Sequence, residues 1–218
     1  MKTYKGIIFD LDGTLLDTIE DLRDSVNDVM KIYGWKEHDT KACKQMVGNG
    51  FRKLIKRALP EDKQKNELFI DEAVNQFSKA YQKRYLNKTI PYEGILKLLE
   101  SLEEKGIKIA VVTNKPHKSA VKMVETLFGK DYFDLITGSK DDTPRKPNPA
   151  TTKQTLQKLG CKAGEAIFFG DSDVDIETAK NADIEAIACS WGFRSFESLL
   201  AKSPSAIIDE PKYISKLF

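Results

Sequence analysis

Short apolar runs alternate with amphipathic stretches along most of the chain. Strand-like runs occur at residues 6–9, 108–112, 135–138, 166–170, 184–189 and 206–208. Apolar residues at helical spacing separate most of the later runs. Near-continuous apolar strands that alternate with helices are typical of a parallel sheet covered on both faces. The pattern therefore predicts an α/β fold with a Rossmann-like, doubly wound parallel sheet.

Residues 17–90 break this alternation, because they show helical spacing and no strand-like run. Ile19, Leu22 and Val26 begin one helical pattern, which stops at Gly34, and further patterns cover 51–59 and 70–84. The segment is too long for a simple crossover between two strands. We therefore predict two domains, an α/β core of residues 1–16 and 91–218 and an inserted helical cap of residues 17–90.

Polar residues follow three of the predicted strands at the point where each strand ends. Asp10 and Asp12 follow the first strand, Thr113 and Asn114 the second, and Asp171 the run at 166–170. The carboxyl ends of parallel strands meet at one edge of a sheet, where ligands bind. A loop stiffened by three prolines can present Lys146 to the same edge. The sequence thus predicts one site built from acids, a hydroxyl and a lysine.

These residue types suit attack on a phosphate ester. A carboxylate with an ordinary pKa of ~3.9 is an ionised nucleophile at neutral pH, but it needs cations beside it to approach a phosphate. Mg²⁺ on Asp10 and Asp171, together with Lys146, would supply them. Thr113 and main-chain N–H groups near Asn114 can hold the phosphoryl oxygens. Asp12 would protonate the leaving oxygen and later deprotonate water.

Composition narrows the class of partner and the compartment. The 35 basic and 33 acidic residues give a net charge of +2, which argues against a dedicated nucleic-acid binder. Three cysteines without C-x-x-C spacing indicate neither a disulfide framework nor a zinc site. We see no leader segment and no membrane span. The expected setting is the cytoplasm, with a small phosphorylated metabolite as partner and neither nucleic acid nor membrane.

The stretch at 10–18, Asp-Leu-Asp-Gly-Thr-Leu-Leu-Asp-Thr, resembles the first signature motif of the haloacid dehalogenase-like hydrolases. Thr113, Lys146 and the acidic stretch at 170–175 match the other three motifs of that family in order. The match extends over nearly the full length, including a helical cap inserted after the first motif. The resemblance implies a phosphatase that works through an aspartyl-phosphate intermediate.

The resemblance also assigns roles to single residues. It implies that Asp10 is the nucleophile and Asp12 the general acid and base. Mg²⁺ would be bound by the carboxylates of Asp10 and Asp171 and by the main-chain carbonyl of Asp12, with Asp175 supporting the site. The alternative for Asp175, and the preferred role of Asp173, is to favour the N-terminus of the following helix.

Within the family, the chain is most similar to phosphoglycolate phosphatases. The similar stretches are 47–59, 112–116, 146–149 and 191–193. Asn148 departs from the pattern, since His is frequent there. Arg52 is a candidate for binding a substrate carboxylate through its planar guanidinium, with an exposed surface position as the alternative.

Several other activities stay open within the same fold. They are a nucleotidase, a pyrophosphatase and a sugar-phosphate phosphatase or mutase, although residues 18–22 lack the histidine typical of the mutases. A dehalogenase is disfavoured because it would not need the acid at Asp12. An alternative of another class is a catalytically silent sensor of phosphorylated ligands or a protein-binding module. This alternative is disfavoured because every expected catalytic position is filled.

Overall fold

Six parallel strands form one sheet in the larger of two units into which the chain divides. The structure is a computed structural model that describes residues 4–130, 132–141 and 143–218. The larger unit, named the core unit here, comprises Met1–Leu16 and Pro91–Phe218. The smaller unit, the helical unit, comprises Asp17–Ile90. Residues 1–3 lie outside the described residues. The prediction that the chain has no leader segment includes these residues.

The strands of the main sheet lie where the apolar runs predict them, whereas two short strands at Leu16–Asp17 and Ile90–Pro91 are not predicted from the sequence. In chain order they are β1 (Gly6–Phe9), β2 (Leu16–Asp17), β3 (Ile90–Pro91), β4 (Lys108–Pro116), β5 (Leu135–Ser139), β6 (Ala166–Gly170), β7 (Glu185–Cys189) and β8 (Ala206–Ile208). The main sheet has the order β5-β4-β1-β6-β7-β8, and β2 pairs with β3 as a separate two-stranded sheet. The predicted α/β fold with a parallel sheet is confirmed.

Both faces of the main sheet are covered. Successive side chains of a strand point to opposite faces, and all four residues of β1 are buried. On one face, Ile8 and Phe168 belong to a core cluster that includes Leu156 and Ile176. The helices of the core unit are α5 (Ile95–Glu104), α6 (His117–Phe128), α7 (Ala150–Leu159), α8 (Asp173–Asn181) and α9 (Phe196–Leu200). This arrangement buries the strands and leaves their carboxyl ends to carry polar residues.

Strand β4 is longer than its apolar run predicts. The run stops at Val112, but the strand continues to Pro116, which pairs with Ser139 of β5. The pairing register shifts between Val112 and Pro116. A register shift of this kind bends a strand and re-aims its side chains, often beside a functional site. Three polar residues, Thr113, Asn114 and Lys115, therefore lie in the strand and are buried.

The helical unit contains four helices, which are α1 (Ile19–Ile32), α2 (Thr40–Met46), α3 (Phe51–Ala58) and α4 (Glu67–Arg84). Aromatic residues form part of its core. Phe77 stacks on Tyr81 with ring centroids 5.6 Å apart, and Phe51 meets Phe77 edge-on at 4.9 Å. Helix α2 is not predicted as a separate element from the sequence. It begins after Asp39, whose side chain accepts a hydrogen bond from the Ala42 N–H.

Asp21 is a buried acid of the helical unit that sequence analysis assigns no role. Its carboxylate accepts hydrogen bonds from the Lys88 N–H, the Thr89 N–H and the Thr89 hydroxyl, at 2.9–3.0 Å for the closest contacts. The bonds tie the first turn of α1 to the segment that follows α4. Asp21 therefore joins two parts of the unit that lie 67 residues apart in sequence.

We expect Asp21→Ala to lower the free energy of unfolding by about 2–4 kcal/mol, because it leaves buried hydrogen-bond donors without an acceptor. Urea unfolding followed by circular dichroism measures this loss. The matched control is Glu72→Ala, which removes an exposed carboxylate that accepts one hydrogen bond from Tyr33. Equal stability of the two variants would contradict the prediction.

No helix within residues 4–130, 132–141 and 143–218 combines the length and the apolar character that a bilayer crossing requires.

Candidate active site

Three adjacent strands of the main sheet carry polar residues to the same edge. β1 lies between β4 and β6; Asp10 follows β1, Asp171 follows β6, and Thr113 lies in β4 just beyond Val111, the partner of Phe9. The Asp10 N–H donates to the Phe169 carbonyl at 2.9 Å, which continues the pairing of β1 with β6 up to the nucleophile candidate. The sheet thus brings together residues that are 161 positions apart in sequence.

Three carboxylates meet at this edge, those of Asp10, Asp171 and Asp175. Each offers one oxygen, and these oxygens lie within 4.8 Å of one another. All three residues are buried. Oδ1 of Asp10 is buried and accepts no hydrogen bond from the residues that the structure describes. Closely spaced, buried carboxylate oxygens are the ligand atoms that a hard divalent cation such as Mg²⁺ prefers, and one of these oxygens accepts no hydrogen bond from the described residues.

Lys146 is the ammonium group beside these acids. Its side chain is 3% exposed, and Nζ lies 2.6 Å from Asp175 Oδ1 and 2.8 Å from Asp10 Oδ1. The contact with Asp175 is a hydrogen bond, whereas the contact with Asp10 is an ion pair without hydrogen-bond alignment. The proline-rich loop therefore brings Lys146 to the edge that the sequence predicts.

Asn114 holds the loop that carries Lys146. Its Oδ1 accepts the Lys146 N–H at 2.9 Å, and its Nδ2 donates to the Lys146 carbonyl at 3.0 Å. These two bonds replace the pairing that a strand would give this stretch of backbone. The Asn114 side chain thus positions Lys146. These bonds do not test whether main-chain N–H groups near Asn114 hold substrate, which stays a prediction.

Asp175 serves both the site and the helix that begins beside it. One oxygen, Oδ1, faces Lys146, and the other, Oδ2, accepts hydrogen bonds from the main-chain N–H and the hydroxyl of Ser172. Ser172 and Asp175 form a capping box at the start of α8. Asp173, in the same first turn, pairs instead with Nε of Arg194 at 3.3 Å. Both acids lie in the first turn of α8, but only Asp175 takes part in the capping box, and Asp175 also belongs to the acid cluster.

A loop after β7 positions Asp171. The Phe193 N–H donates to Asp171 Oδ2 at 2.7 Å. A Cβ on Gly192 would lie 2.3 Å from the Cβ of Asp171 and 2.4 Å from the Gly13 carbonyl, so a larger residue does not fit there. Gly13 has φ near +88°, and a Cβ there would lie 2.3 Å from Asp171 Oδ2. The stretch 191–193 is recognisable in the sequence by its similarity to phosphoglycolate phosphatases, but its role in orienting an acid is visible only in the fold.

Asp12 pairs with a lysine that sequence analysis does not assign. Lys115 Nζ lies 2.7 Å from Asp12 Oδ1, and the Lys115 side chain has no exposed area. Thr113 lies two residues before Lys115 in the sequence and is also buried. Its Oγ1 accepts a hydrogen bond from the Lys115 N–H at 3.2 Å. In the sequence, Lys115 is marked by its place just after a predicted strand end and by the stretch 112–116 that resembles phosphoglycolate phosphatases.

Arg52 belongs to the helical unit, on α3. Its guanidinium pairs with Glu67 at 2.5 Å and with Asp71, both on α4. The Arg52 side chain is 40% exposed. The structure therefore places it in an ion-pair network within its own unit.

Burial and the closeness of the acids raise the pKa of Asp10 and Asp171. Burial, and then the Asp175 carboxylate, raise the pKa of Asp10 to about 7, against the opposing effect of Lys146. Burial, and then the Asp175 and Asp10 carboxylates, raise the pKa of Asp171 to about 8. Burial alone would lower the pKa of Lys146, but the Asp10 and Asp175 carboxylates outweigh it and raise that pKa.

The charge of the cluster also fits one divalent cation. Four carboxylates and two ammonium groups contribute a formal net charge of −2 when all are ionised: Asp10, Asp12, Asp171, Asp175, Lys115 and Lys146. One ion of charge +2 neutralises this set. Such an ion also removes the repulsion that raises the pKa of the acids.

Comparisons with known proteins show the family to which the chain belongs. A family model described as haloacid dehalogenase-like hydrolase matches residues 7–189. A phosphoglycolate phosphatase from Aquifex aeolicus is 34% identical over 97% of this chain and 95% of its own length. One from Psychrobacter arcticus is 32% identical over 94% of this chain and 91% of its own length. The crystal structure of a predicted phosphoglycolate phosphatase from Haemophilus somnus 129PT superposes with a TM-score of 0.91 at 27% identity, covering 100% and 99% of the two chains.

Proposed function

The chain belongs to the haloacid dehalogenase-like hydrolases and is a phosphatase, and from this premise we propose that it hydrolyses 2-phosphoglycolate with Mg²⁺ through an aspartyl-phosphate on Asp10. The observation that carries the proposal is the buried cluster of Asp10, Asp171, Asp175 and Lys146 at one sheet edge. The names of the relatives support the substrate.

In the proposed reaction, a carboxylate oxygen of Asp10 attacks phosphorus and the bond to the leaving oxygen breaks. Asp12 gives its proton to that oxygen, which leaves as an alcohol. Asp12 then takes a proton from water, whose oxygen attacks the aspartyl-phosphate and releases inorganic phosphate. The two steps restore both aspartates to their starting states.

The other residues hold charge in place. Asp10, Asp171 and the main-chain carbonyl of Asp12 would bind Mg²⁺, with Asp175 nearby. When bound, the ion supplies positive charge that lets a carboxylate approach a phosphate dianion. Lys146 contributes a fixed ammonium beside Asp10. Thr113 and main-chain N–H groups near Asn114 are proposed to hold the phosphoryl oxygens.

A panel of phosphomonoesters with and without Mg²⁺ tests the proposed function. We expect Mg²⁺-dependent release of phosphate, with kcat/KM for 2-phosphoglycolate well above that for sugar phosphates, nucleotides and pyrophosphate. A preference for one of those compounds would move the substrate to another phosphatase class of the same fold. No turnover of any compound would favour a silent sensor of phosphorylated ligands.

Arg52 is proposed to select an acidic substrate through its guanidinium. We expect Arg52→Ala to raise KM for 2-phosphoglycolate more than KM for a neutral phosphomonoester, because only the first offers a carboxylate. Glu67 and Asp71 already pair with Arg52, so the expected rise is modest, about 3–10-fold, as for an exposed and contested ion pair. Lys56→Ala is the control, since Lys56 also pairs with Glu67. An equal change for both substrates would show that Arg52 does not select between them.

The acid cluster gives the metal-free protein a defined pH dependence. Asp10 and Asp171 have a raised pKa in the folded state, so between about 3.8 and about 8 the folded protein binds more protons than the unfolded chain. Stability in EDTA therefore falls as pH rises through this window. We expect a lower Tm at about pH 8 than at about pH 6, and Mg²⁺ to restore more of the Tm at the higher pH. An Mg²⁺ effect that is absent, or largest at low pH, would contradict this prediction.

The thiols fit the proposed cytoplasmic setting. Cys43, Cys161 and Cys189 are free, and Cys43 and Cys189 are buried. A reducing compartment keeps such cysteines unpaired.

A further inference from the structure

Lys115 is a buried lysine whose ammonium group lies next to the proposed acid and base, Asp12. Its Nζ is 2.7 Å from Asp12 Oδ1 and donates a hydrogen bond to it. The Lys115 side chain has no exposed area, and that of Asp12 is 13% exposed. A buried ammonium is costly unless it is paired, so the fold has placed this charge against one particular carboxylate oxygen.

The backbone of β4 explains how Lys115 reaches this position. The pairing of β4 with β5 loses its regular register after Val112 and resumes at Pro116. Lys115 lies within the irregular part, and its main-chain N–H donates to Thr113 Oγ1. An ordinary end of the strand at Val112 would leave Lys115 in a surface loop.

We infer that Lys115 is a positioning residue for Asp12, which holds Oδ1 and leaves Oδ2 to exchange the proton with the leaving group and with water. This inference rests on the proposed function. The ammonium can donate to Oδ1 whether Asp12 is ionised or carries a proton on Oδ2. Lys115 therefore stays in place through both half-reactions and takes up no proton itself.

The two buried lysines of the site pair with different acids. Lys146 pairs with Asp10, the proposed nucleophile, and with Asp175, another acid of the cluster. Lys115 pairs with Asp12, which transfers protons. Loss of Lys115 removes the ammonium that holds Asp12 Oδ1 and leaves the contacts of Lys146 with Asp10 and Asp175 in place. The consequence is a defect in proton transfer with little change in substrate binding.

The test is Lys115→Met, which keeps the length of the side chain and removes the ammonium. We expect kcat on 2-phosphoglycolate to fall about 10²-fold, near the lower end of what a positioned acid or base contributes, with KM within about 3-fold of wild type. The matched control is Lys108→Met. Lys108 starts the same strand, and its Nζ also lies 2.7 Å from an aspartate oxygen, that of Asp134, but it is exposed and lies at the opposite end of β4. We expect wild-type kinetics for this control.

A double-mutant cycle separates positioning from a general disturbance of the site. In the background of Asp12→Asn, we expect Lys115→Met to cause no further loss of kcat, because the residue through which it acts is already disabled. A loss of the same size in both backgrounds would overturn the inference, as would wild-type kcat in Lys115→Met. Lys115→Arg keeps the cation, and we expect it to retain more of kcat than Lys115→Met; equal loss in both would also count against positioning by charge.

An aryl phosphate provides a readout that a merely structural role would not move. With p-nitrophenyl phosphate, the leaving phenolate needs no proton, whereas hydrolysis of the aspartyl-phosphate still needs Asp12 as base. We expect Lys115→Met to release phenolate in a rapid burst followed by a slow steady state. Equal slowing of both phases would overturn the inference.

A crystal structure of Lys115→Met adds a test that does not depend on turnover, and we expect the Asp12 side chain to leave its present rotamer. An unchanged Asp12 would overturn the positioning role even if the variant were slow. Absence of turnover by the wild type on every substrate would instead overturn the proposed function, and the role of Lys115 in it.

Discussion

Asp10→Asn should lower kcat by at least about 10⁴-fold while the protein stays folded. The amide keeps the shape of the carboxylate but loses the charge and the nucleophilic oxygen that would attack phosphorus. Asp10 follows β1 directly and lies beside Lys146, so no other acid of the cluster takes the same place on the sheet.

The stability of the same variant should change in the opposite direction. In the metal-free protein, burial and the Asp175 carboxylate raise the pKa of Asp10 to about 7, which means that its ionised form is held at a cost. The neutral amide removes this cost, so we expect Asp10→Asn in EDTA at about pH 8 to have a Tm equal to or above that of wild type. An active site built for function often shows this exchange of stability for activity.

Steady-state kinetics with Mg²⁺ and a thermal melt in EDTA measure the two effects. Asp173→Asn is the control, because Asp173 is also an acid near this edge but pairs with Arg194 and is not one of the three clustered carboxylates. Near-normal turnover by Asp10→Asn would exclude Asp10 as nucleophile. A variant that is inactive because it is unfolded would be recognised by its melt.

Lys146→Met has the second large effect, on activity and on stability together. The ammonium is 3% exposed and faces both Asp10 and Asp175 within 2.8 Å. Its removal leaves two buried carboxylates without their cation, and breaking a buried ion pair in this way costs about 3–5 kcal/mol. We expect a loss of that size in EDTA near neutral pH, and a fall in kcat of about 10²-fold or more with Mg²⁺ present.

Denaturant unfolding and steady-state kinetics check this second prediction. Lys153→Met is the matched control, since Lys153 forms an exposed pair with Asp183 at 3.2 Å and its loss should change little. Mg²⁺ should recover part of the stability of Lys146→Met, because a divalent cation replaces some of the missing charge. Wild-type stability of Lys146→Met would show that the acids are neutral in the folded protein without the lysine.

The sheet could be predicted from the sequence because its signal is local. Each strand is a short apolar run, and all four residues of β1 are buried, as a run without polar positions implies. The same locality made Asp10 and Asp171 visible as residues that follow strands, and Thr113 as the residue that ends an apolar run. Because parallel strands bring their carboxyl ends to one edge, topology alone predicted that these three residues lie near each other.

Other parts of the site depend on contacts between residues far apart in sequence. Asn114 holds the loop of Lys146 across 32 residues, and the Phe193 N–H reaches Asp171 across 22. The local pattern marks Asn114 and Phe193 as candidates but does not show which distant residue each one holds. The partners of Arg52 and the buried bonds of Asp21 were hidden for the same reason.

The sequence by itself determined the class of fold, the family and the residue types at the edge that carries the candidate site, because apolar periodicity and motif order are local features of the chain. Only the tertiary structure decided which charges are buried and which of them face each other. Lys115 shows the difference, since a lysine after a strand reads as solvated until a register shift in β4 turns it inward against Asp12. Burial and pairing belong to the folded arrangement of all strands, and no single stretch of sequence contains that information.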